Sequence, residues 1–304
     1  MMTSRKDPFA RRIRAWIHRC LLGLTLVACA AGAQPAGSGK LFLWEVKSAT
    51  NSVYIFGSIH TAKPDMYPLP QAVEDAYHRA DQLAVEADVT DPTKAARALS
   101  LLTYTPPDGL DRHVSPGVWK QLEATPAGKD ATLKTLKPAA LASFLAIAAM
   151  SMHGYDPQAG IDLHFLTSAH AEAKQIVELE SVEFQAGILG SVSDEDGDAL
   201  LSETLKELRT GELVRDIDQV ASAWKAGDDE SVGRLLREAN KDPASKRMFA
   251  KLFDERNPAM ADKIAAMASG TGHAFVVIGA GHLAGDRNVL ELLKAKGLQV
   301  RRLP

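Results

Sequence analysis

The chain has 304 residues, 46% of them hydrophobic and 24% charged, with a formal net charge of −3 at pH 7. This composition fits a globular protein of one large domain or two intimate ones. Residues 1–33 hold six Lys or Arg and one Asp, a net +5, so the remaining body carries −8. An acidic body argues against a nucleic-acid partner, and we expect none.

Residues 1–33 have the pattern of an export signal. Arginines precede the apolar run 21–28, which is too short to span a bilayer but suits the hydrophobic part of a signal peptide. Cleavage after Ala33 is favoured over bacterial lipobox processing before Cys29, so we expect an exported protein that is periplasmic or lipid-anchored. Membrane association is then limited to the signal or that anchor. Cys20 and Cys29 are the only cysteines, which excludes cysteine chemistry in the mature body.

The first predicted α/β unit follows a linker at residues 34–40. Two strands, Leu41–Val46 and Ser52–Phe56, are predicted to form a hairpin. Apolar residues with i, i+3, i+4, i+7 spacing then predict a helix over Val73–Ala80, and a strand follows at Gln82–Glu86. Strand, loop, helix and strand in this order predict a βαβ unit.

The C-terminal end repeats this order of elements over residues 273–303. Between the two halves, about residues 93–270 are predicted to form a large helical insertion that contains one strand, residues 174–180. We therefore expect an α/β (α+β) fold, a single domain over 41–304, with a central mixed, largely parallel sheet built from two βαβ-like halves. The predicted helices of the insertion are Pro138–His153, Asp162–Ala173, Ser193–Thr210, Leu213–Ala226, Glu230–Glu238 and Ser245–Ala268.

Two Gly-x-x-His elements, residues 57–60 and 279–282, each follow an apolar strand and lie at opposite ends of the mature chain. A histidine just past the carboxyl end of a strand projects into the crevice where α/β proteins bind ligands, and a glycine there allows a sharp turn or a close approach. Each histidine could instead cap its strand through the backbone. The repeated context favours one site shared by His60 and His282.

Carboxylates at two further strand ends are candidates for the same site. Glu86 is either an exposed strand-end charge or an inward ligand or general base. With His60 and His282 it would complete the three-ligand set of a hydrolytic metal site, which leaves one position open for water. Glu178 and Glu180 share one face of their predicted strand, and the strand pattern does not choose between them.

Two polar segments of the insertion supply the remaining candidates. Asp162 and His164 open a predicted helix, where Asp162 could also be an N-terminal cap or a partner of the helix dipole. Residues 254–258 are dense in polar groups that include Arg256 and Asn257. This segment is either charged surface or a source of an inward arginine that stabilises an oxyanion or holds a carboxylate.

Several common enzyme signatures are missing from the sequence. The chain has no Gly-x-Ser-x-Gly, no His-Glu-x-x-His and no Gly-Lys-Ser/Thr phosphate loop, which excludes serine hydrolases, zincins and P-loop NTPases of the usual kinds. Residues 279–284 match Gly-x-Gly-x-x-Ala, but the chain after the following helix is too short for the rest of a nucleotide-binding half. We therefore expect no nicotinamide cofactor.

Taken together, the motifs resemble a known family. They are Tyr54–His60, Tyr67–Pro70, Val85–Asp88, Gly154–Pro157, Gly160–Leu166, Leu179–Ser181, Glu255–Asn257 and Gly279–His282. They are similar to those of the TraB/GumN (TraB/PrgY/GumN) family, which is related to the Tiki metalloproteases and more distantly to erythromycin esterases and ChaN-like haem-binding lipoproteins. The resemblance spans nearly the whole mature chain.

The resemblance implies that His60, Glu86, Glu180, Arg256 and His282 converge in a metal-dependent, hydrolase-like site. It also selects Glu180 rather than the preceding glutamate of the same strand. Tiki-like relatives are described as peptidases that use cobalt or manganese, whereas GumN-like members often accompany exopolysaccharide genes. The resemblance thus implies more about the fold than about the reaction.

The leading hypothesis is an exported metal-dependent hydrolase, with metallopeptidase as the first choice and a peptide or another small polar molecule as substrate. His60, His282 and one glutamate would bind Mn, Co or Zn, the other glutamate would activate water, and Arg256 would stabilise the oxyanion. One alternative is a non-catalytic envelope protein, linked to polysaccharide export, that binds haem, a peptide or a saccharide. Another is a metal-independent esterase with His60 as its base.

Overall fold

The structure is a computed structural model that describes residues 40–240 and 242–304. The predicted signal at 1–33, Cys29 and nearly all of the linker lie outside the described residues. The described chain divides into two compact units: residues 89–149 with 182–213, and residues up to 88 with 150–181 and 214–304. The insertion predicted at about 93–270 is thus shared between the two units.

The strands and helices follow one another over the whole described chain. The strands are β1 (Leu43–Lys47), β2 (Ser52–Ser58), β3 (Gln82–Val85), β4 (Gln175–Glu178), β5 (Ala274–Gly279) and β6 (Gln299–Arg302). The helices are α1 (Gln71–Arg79), α2 (Pro92–Leu102), α3 (Pro116–Glu123), α4 (Pro138–Met152), α5 (Ile161–Ala171), α6 (Val182–Gly190), α7 (Asp194–Thr210), α8 (Glu212–Lys225), α9 (Asp229–Ala239), α10 (Pro243–Phe249), α11 (Asn257–Ser269) and α12 (Val289–Ala295).

The strands form one mixed sheet in the order β4-β3-β5-β2-β1-β6 within the described residues. The pairs β4–β3, β3–β5 and β5–β2 are parallel, whereas β1 pairs antiparallel with β2 and with β6. The predicted mixed, largely parallel α/β sheet is confirmed. Because β5 lies between β2 and β3, the two Gly-x-x-His elements follow neighbouring strands, with Ser58 paired to Gly279.

Aromatic side chains fill the core between the sheet and the helices that cover it. Phe275 of β5 is fully buried, and its ring lies 4.9 Å from that of Phe165 and 5.8 Å from that of Tyr77. Val73, Ala76 and Tyr77 are the buried stripe of α1, as the predicted helical spacing requires. The core therefore holds β5 against α1 and α5 at the centre of the sheet.

Helices predicted from periodicity are confirmed within two residues at each end for α4, α5, α7, α8 and α9. The helix predicted over Ser245–Ala268 differs, because α10 passes into a π-helical segment, Ala250–Asp254, before α11 begins. Pro258 explains the break, since a proline lacks the amide proton and its ring clashes with the carbonyl four residues earlier. Such π-helical segments are frequent at functional sites.

Helices α2, α3 and α6 are not among the helices predicted from the sequence. Two of them carry start signals that periodicity does not register. Asp91 accepts hydrogen bonds from two amides at the start of α2, and Ser115 caps α3, each cap being followed by a proline. These helices belong to the unit formed by 89–149 and 182–213, whose separate apolar core includes Leu110, Leu141 and Leu201. Among the described residues, no helix has both the length and the apolar character needed to cross a bilayer.

The aromatic core around β5 gives a test of the packing. We expect Phe275→Ala to lower the free energy of unfolding by about 3–5 kcal/mol, because it removes a fully buried ring and leaves a cavity. Met152→Ala removes a side chain that is 65% exposed and should change it by no more than about 0.5 kcal/mol. Urea denaturation of both variants measures this, and equal losses would contradict the packing described.

Candidate functional site

The Glu86 carboxylate lies immediately past the end of β3 and is 8% exposed. Its Oε1 accepts a hydrogen bond from the amide of Gly279, at 2.7 Å, and its Oε2 accepts one from Arg256 Nη2, also at 2.7 Å. The parallel pairing of β3 with β5 brings these groups together, because it aligns the carboxyl ends of both strands. Glu86 is therefore an inward carboxylate and not an exposed strand-end charge, the two alternatives that the sequence left open.

Arg256 joins Glu86 to a second buried carboxylate, that of Glu180. Arg256 Nε donates to both Glu180 oxygens, at 2.9 and 3.1 Å, and Nη2 donates to Glu180 Oε2 at 2.6 Å. Its Nη1 donates to the carbonyl of Leu252 in the π-helical segment. Since all three side chains are less than a tenth exposed, the guanidinium is the buried cation that balances two buried anions.

His282 lies in the short turn after β5 and its side chain is 3% exposed. Asn257 uses its Nδ2 to donate to the carbonyl of Arg287, so its Oδ1 is the atom that accepts from His282 Nδ1, at 2.6 Å. The other ring nitrogen, Nε2, lies 3.6 Å from Glu86 Oε1. Phe253 packs against the ring, with 5.0 Å between centroids.

His60 has the opposite environment, since its side chain is 68% exposed. Its Nδ1 donates to Asp162 Oδ2 at 2.9 Å, and Asp162 Oδ1 accepts from the hydroxyl of Ser58 at 2.7 Å. Asp162 lies in the first turn of α5, where the helix dipole favours a negative charge. Asp162 is thus the partner that orients the exposed imidazole.

The two imidazoles and the Glu86 carboxylate surround a space that exists because residue 279 has no side chain. A Cβ on Gly279 would lie 3.2 Å from Glu86 Oε1, 3.7 Å from His60 Nε2 and 3.8 Å from His282 Cδ2. Within the described part of the chain, no group of three or more His, Cys, Asp or Glu side chains is arranged so that it could hold a metal ion. The three side chains are neighbours around a space and do not form a closed ligand set.

The charges in the site follow from burial and from these contacts. Burial lowers the pKa of His282 to about 4, so this imidazole is neutral at pH 7. Burial opposes ionisation of Glu86, but the histidines, Arg256 and the Gly279 amide outweigh it and lower its pKa to about 2. The charge of Asp162 raises the pKa of His60 to about 9. At neutral pH the side chains that carry positive charge here are Arg256 and His60.

A sequence model of the TraB/PrgY/gumN family matches residues 42–302, which covers every residue of the site. The chain belongs to the TraB/PrgY/gumN family. It is 29% identical over 245 residues to the uncharacterized protein YbaP of Escherichia coli (strain K12), covering 79% of this chain and 87% of that protein. An uncharacterized YbaP of Shigella flexneri matches with the same values. No solved structure matches the chain.

In this TraB/PrgY/gumN family member, the two glutamates of the β4 region have different partners. Glu178 ends β4 and accepts a hydrogen bond from the amide of Asp88, whereas Glu180 lies past the strand and holds Arg256. His164 points to a different cluster, because its Nε2 lies 3.5 Å from Glu74 and its ring packs against Tyr67. The structure thus brings together the predicted His60, Glu86, Glu180, Arg256, His282, Asp162 and Asn257, and leaves His164 outside the site.

The site also contains three groups that are not among the predicted site residues: Ser58, the Gly279 amide and the Leu252 carbonyl. Ser58 had a readable signal, because it lies inside the first Gly-x-x-His element, two residues before His60. The Gly279 amide and the Leu252 carbonyl are main-chain groups, and side-chain motifs do not report them. Their roles depend on strand pairing and on the π-helical segment.

The buried ion pairs of Arg256 give a test of the site. Arg256→Met should lower the free energy of unfolding by about 3–5 kcal/mol at pH 7, because Glu86 and Glu180 stay buried without their cation. In the native chain, the lowered pKa of Glu86 contributes stability that is present above its ordinary value of 4.5 and is lost as the pH falls towards 2. The variant should therefore lose less stability than the native chain between pH 7 and pH 3.

Urea denaturation at both pH values measures these differences. The matched control is Arg79→Met, which removes an arginine that is 64% exposed and 3.8 Å from Asp75. A surface pair of this kind contributes at most about 1 kcal/mol. If the Arg256 variant were as stable as the control, the buried ion pairs of Arg256 with Glu86 and Glu180 would not have the role described.

Proposed function

We propose that this TraB/PrgY/gumN family member is a metal-dependent hydrolase, with peptides as its leading substrate class. His60, His282 and Glu86 would hold a divalent ion such as Mn²⁺, Co²⁺ or Zn²⁺. The observation that supports this is a pair of imidazoles beside one ionised carboxylate, each with its Nδ1 held by an oxygen acceptor. Ligating histidines are usually held in this way through their other ring nitrogen.

The donor types fit a divalent ion. His282 Nδ1 carries a hydrogen and donates it in a hydrogen bond to Asn257 Oδ1, and the ring is neutral at pH 7. Its Nε2 therefore has a free lone pair, and this atom lies 3.6 Å from Glu86 Oε1. Two acceptors that face each other at this distance repel, and a cation between them relieves the repulsion. Because these side chains are not arranged as a ligand set in the structure, the proposal requires their positions to change when an ion binds.

When bound, the ion would polarise the substrate carbonyl and lower the pKa of a water molecule. The protein's own residues supply the rest. Asn257 and Asp162 orient the two imidazoles, and Arg256 together with the amide of Gly279 favours the ionised form of Glu86. The exposed side of His60 is where a substrate reaches the site.

Water activation by Glu180 and oxyanion stabilisation by Arg256 stay predictions. The contacts of these two residues favour other roles. Both oxygens of Glu180 accept from Arg256, and every nitrogen of that guanidinium donates to protein. Such a pair balances charge and fixes Glu86. It would serve as water activator or oxyanion donor only after giving up contacts that it makes in the structure.

A second candidate, metal-independent esterase action with His60 as base, is favoured by the hydrogen bond from His60 Nδ1 to Asp162. That arrangement resembles a base held by its orienting carboxylate. The pKa of about 9 weighs against it, because His60 is then protonated at neutral pH and cannot take up another proton. The same proton would have to leave His60 before an ion could bind it, so the metal proposal requires the ion to displace that proton. We also propose export of the chain, on the signal pattern of residues 1–33.

Metal binding is testable without a known substrate. An ion at 100-fold above its Kd should stabilise the protein by about 2.7 kcal/mol and raise its Tm by about 5–10 °C. His282→Ala should abolish the increase, because it removes one ligand. His170→Ala is the control, since His170 lies beside Asp88 and outside this site. Thermal unfolding with Mn²⁺, Co²⁺ and Zn²⁺ measures the increase in Tm. If none of these ions raises the Tm of the native chain, the metal proposal is overturned.

Hydrolysis is tested with a peptide library on purified protein. We expect cleavage that a chelator removes and that added metal restores, and Glu86→Gln should lower the rate by at least about 100-fold. Ester hydrolysis that survives chelation and is lost in His60→Ala would support the second candidate instead. A metal-loaded protein that cleaves neither substrate class would contradict both hydrolase proposals.

A further inference from the structure

We propose that Ser58 is a positioning residue of this site, which acts through Asp162 to fix the direction in which His60 presents its Nε2 atom. The inference rests on the proposed function only where an ion or substrate is concerned, because the contacts that carry it join the protein's own side chains. Ser58 is the last residue of β2 and is 1% exposed. Its hydroxyl is therefore withheld from solvent.

The Asp162 carboxylate is shared between two donors. Ser58 Oγ donates to Oδ1 at 2.7 Å, and His60 Nδ1 donates to Oδ2 at 2.9 Å. A serine hydroxyl has one proton to donate, and here that proton goes to the carboxylate. The carboxylate torsion is a broad one, so a hydrogen bond on each oxygen is what fixes its plane. Loss of the Ser58 hydroxyl would leave Asp162 free to turn away from His60.

His60 needs this support more than His282 does. The His282 side chain is 3% exposed and packs against Phe253, so packing restrains its ring. The His60 side chain is 68% exposed, so little packing restrains it and the bond to Asp162 sets its orientation. Ser58 and Asp162 thus do for His60 what burial does for His282.

The backbone around Asp162 is built to hold this geometry. The amide of Ile161 donates to the carbonyl of Ile59 at 3.0 Å, which fixes the start of α5 to the Gly-x-x-His loop. A Cβ on Gly160 would lie 2.4 Å from the carbonyl oxygen of His60, so only glycine permits this approach. The main chain brings Asp162 near His60, and the Ser58 hydroxyl selects how the carboxylate faces the ring.

Strand register links Ser58 to the other half of the site. Ser58 pairs with Gly279 in the parallel β2–β5 ladder, and the amide of Gly279 holds Glu86 Oε1. In this register pair, Ser58 orients His60 through Asp162, and Gly279 orients Glu86. The sheet therefore sets the distance between His60 and Glu86 as long as Ser58 and Gly279 keep their hydrogen bonds.

The test uses the imidazole ¹H–¹⁵N resonances of the full chain, freed of metal by a chelator. The Nδ1 proton of His60, assigned by its loss in His60→Gln, should exchange with water at least about 10-fold faster in Ser58→Ala than in the native chain. The Nδ1 proton of His282, held by Asn257, should be unchanged and serves as the internal reference. A folded Ser58→Ala protein with native exchange at His60 would overturn the proposal.

Two further variants separate positioning from a general loss of structure. Ser168→Ala also removes a hydroxyl from the α5 region, but that hydroxyl bonds to the carbonyl of His164, so His60 should exchange at the native rate. Ser58→Cys fills nearly the same buried space with a weak donor and should speed exchange as alanine does. Native exchange in Ser58→Cys, or faster exchange in Ser168→Ala, would contradict a role for the Ser58 hydroxyl.

Metal titration of the same proteins forms the second arm. If the native chain binds Mn²⁺, Co²⁺ or Zn²⁺, Ser58→Ala should weaken the affinity about 10–100-fold, the range for loss of a group that supports a ligating histidine. An unchanged affinity would overturn the positioning role. If no ion binds the native chain, the proposed function fails, and the exchange measurement still decides whether Ser58 positions His60.

Discussion

The candidate site depends on the placement of one guanidinium between two buried carboxylates. Glu86 and Glu180 lie just past the ends of neighbouring parallel strands, and the amide of Glu180 donates to the carbonyl of Glu86. Burial and mutual repulsion would force at least one of these acids to take up a proton if no cation lay between them. Arg256 removes that need, so Glu86 stays ionised where it faces both histidines.

The position of Arg256 depends in turn on an irregular segment. It follows the π-helical turn Ala250–Asp254 and precedes α11, which begins at Asn257. This one interruption of the helix therefore places both Arg256, the cation that holds Glu86, and Asn257, whose side-chain amide oxygen holds His282. Pro258 prevents a continuous helix here, so the break is encoded by a residue directly beside Arg256 and Asn257 in the sequence.

The strand-end positions of His60, His282 and Glu86 follow from sequence alone, because apolar runs and glycines mark where strands stop. The difference between Glu178 and Glu180 does not follow, since the alternation rule applies only within a strand and β4 ends at Glu178. The position of β5 between β2 and β3 depends on long-range strand pairing, which no local sequence pattern predicts. The partnership of Ser58 with Asp162 spans 104 residues, so no local pattern predicts it either.

The register pair of Ser58 with Gly279 also bears on when the site forms. It joins strands from opposite ends of the described chain, so the loop it closes is long and the pairing comes at a high entropic cost. His60, Glu86 and His282 become neighbours only once that parallel pairing exists. The site is therefore absent from any partly folded state that lacks the β2–β5 ladder, and a chain that has not completed its sheet cannot carry out the proposed chemistry.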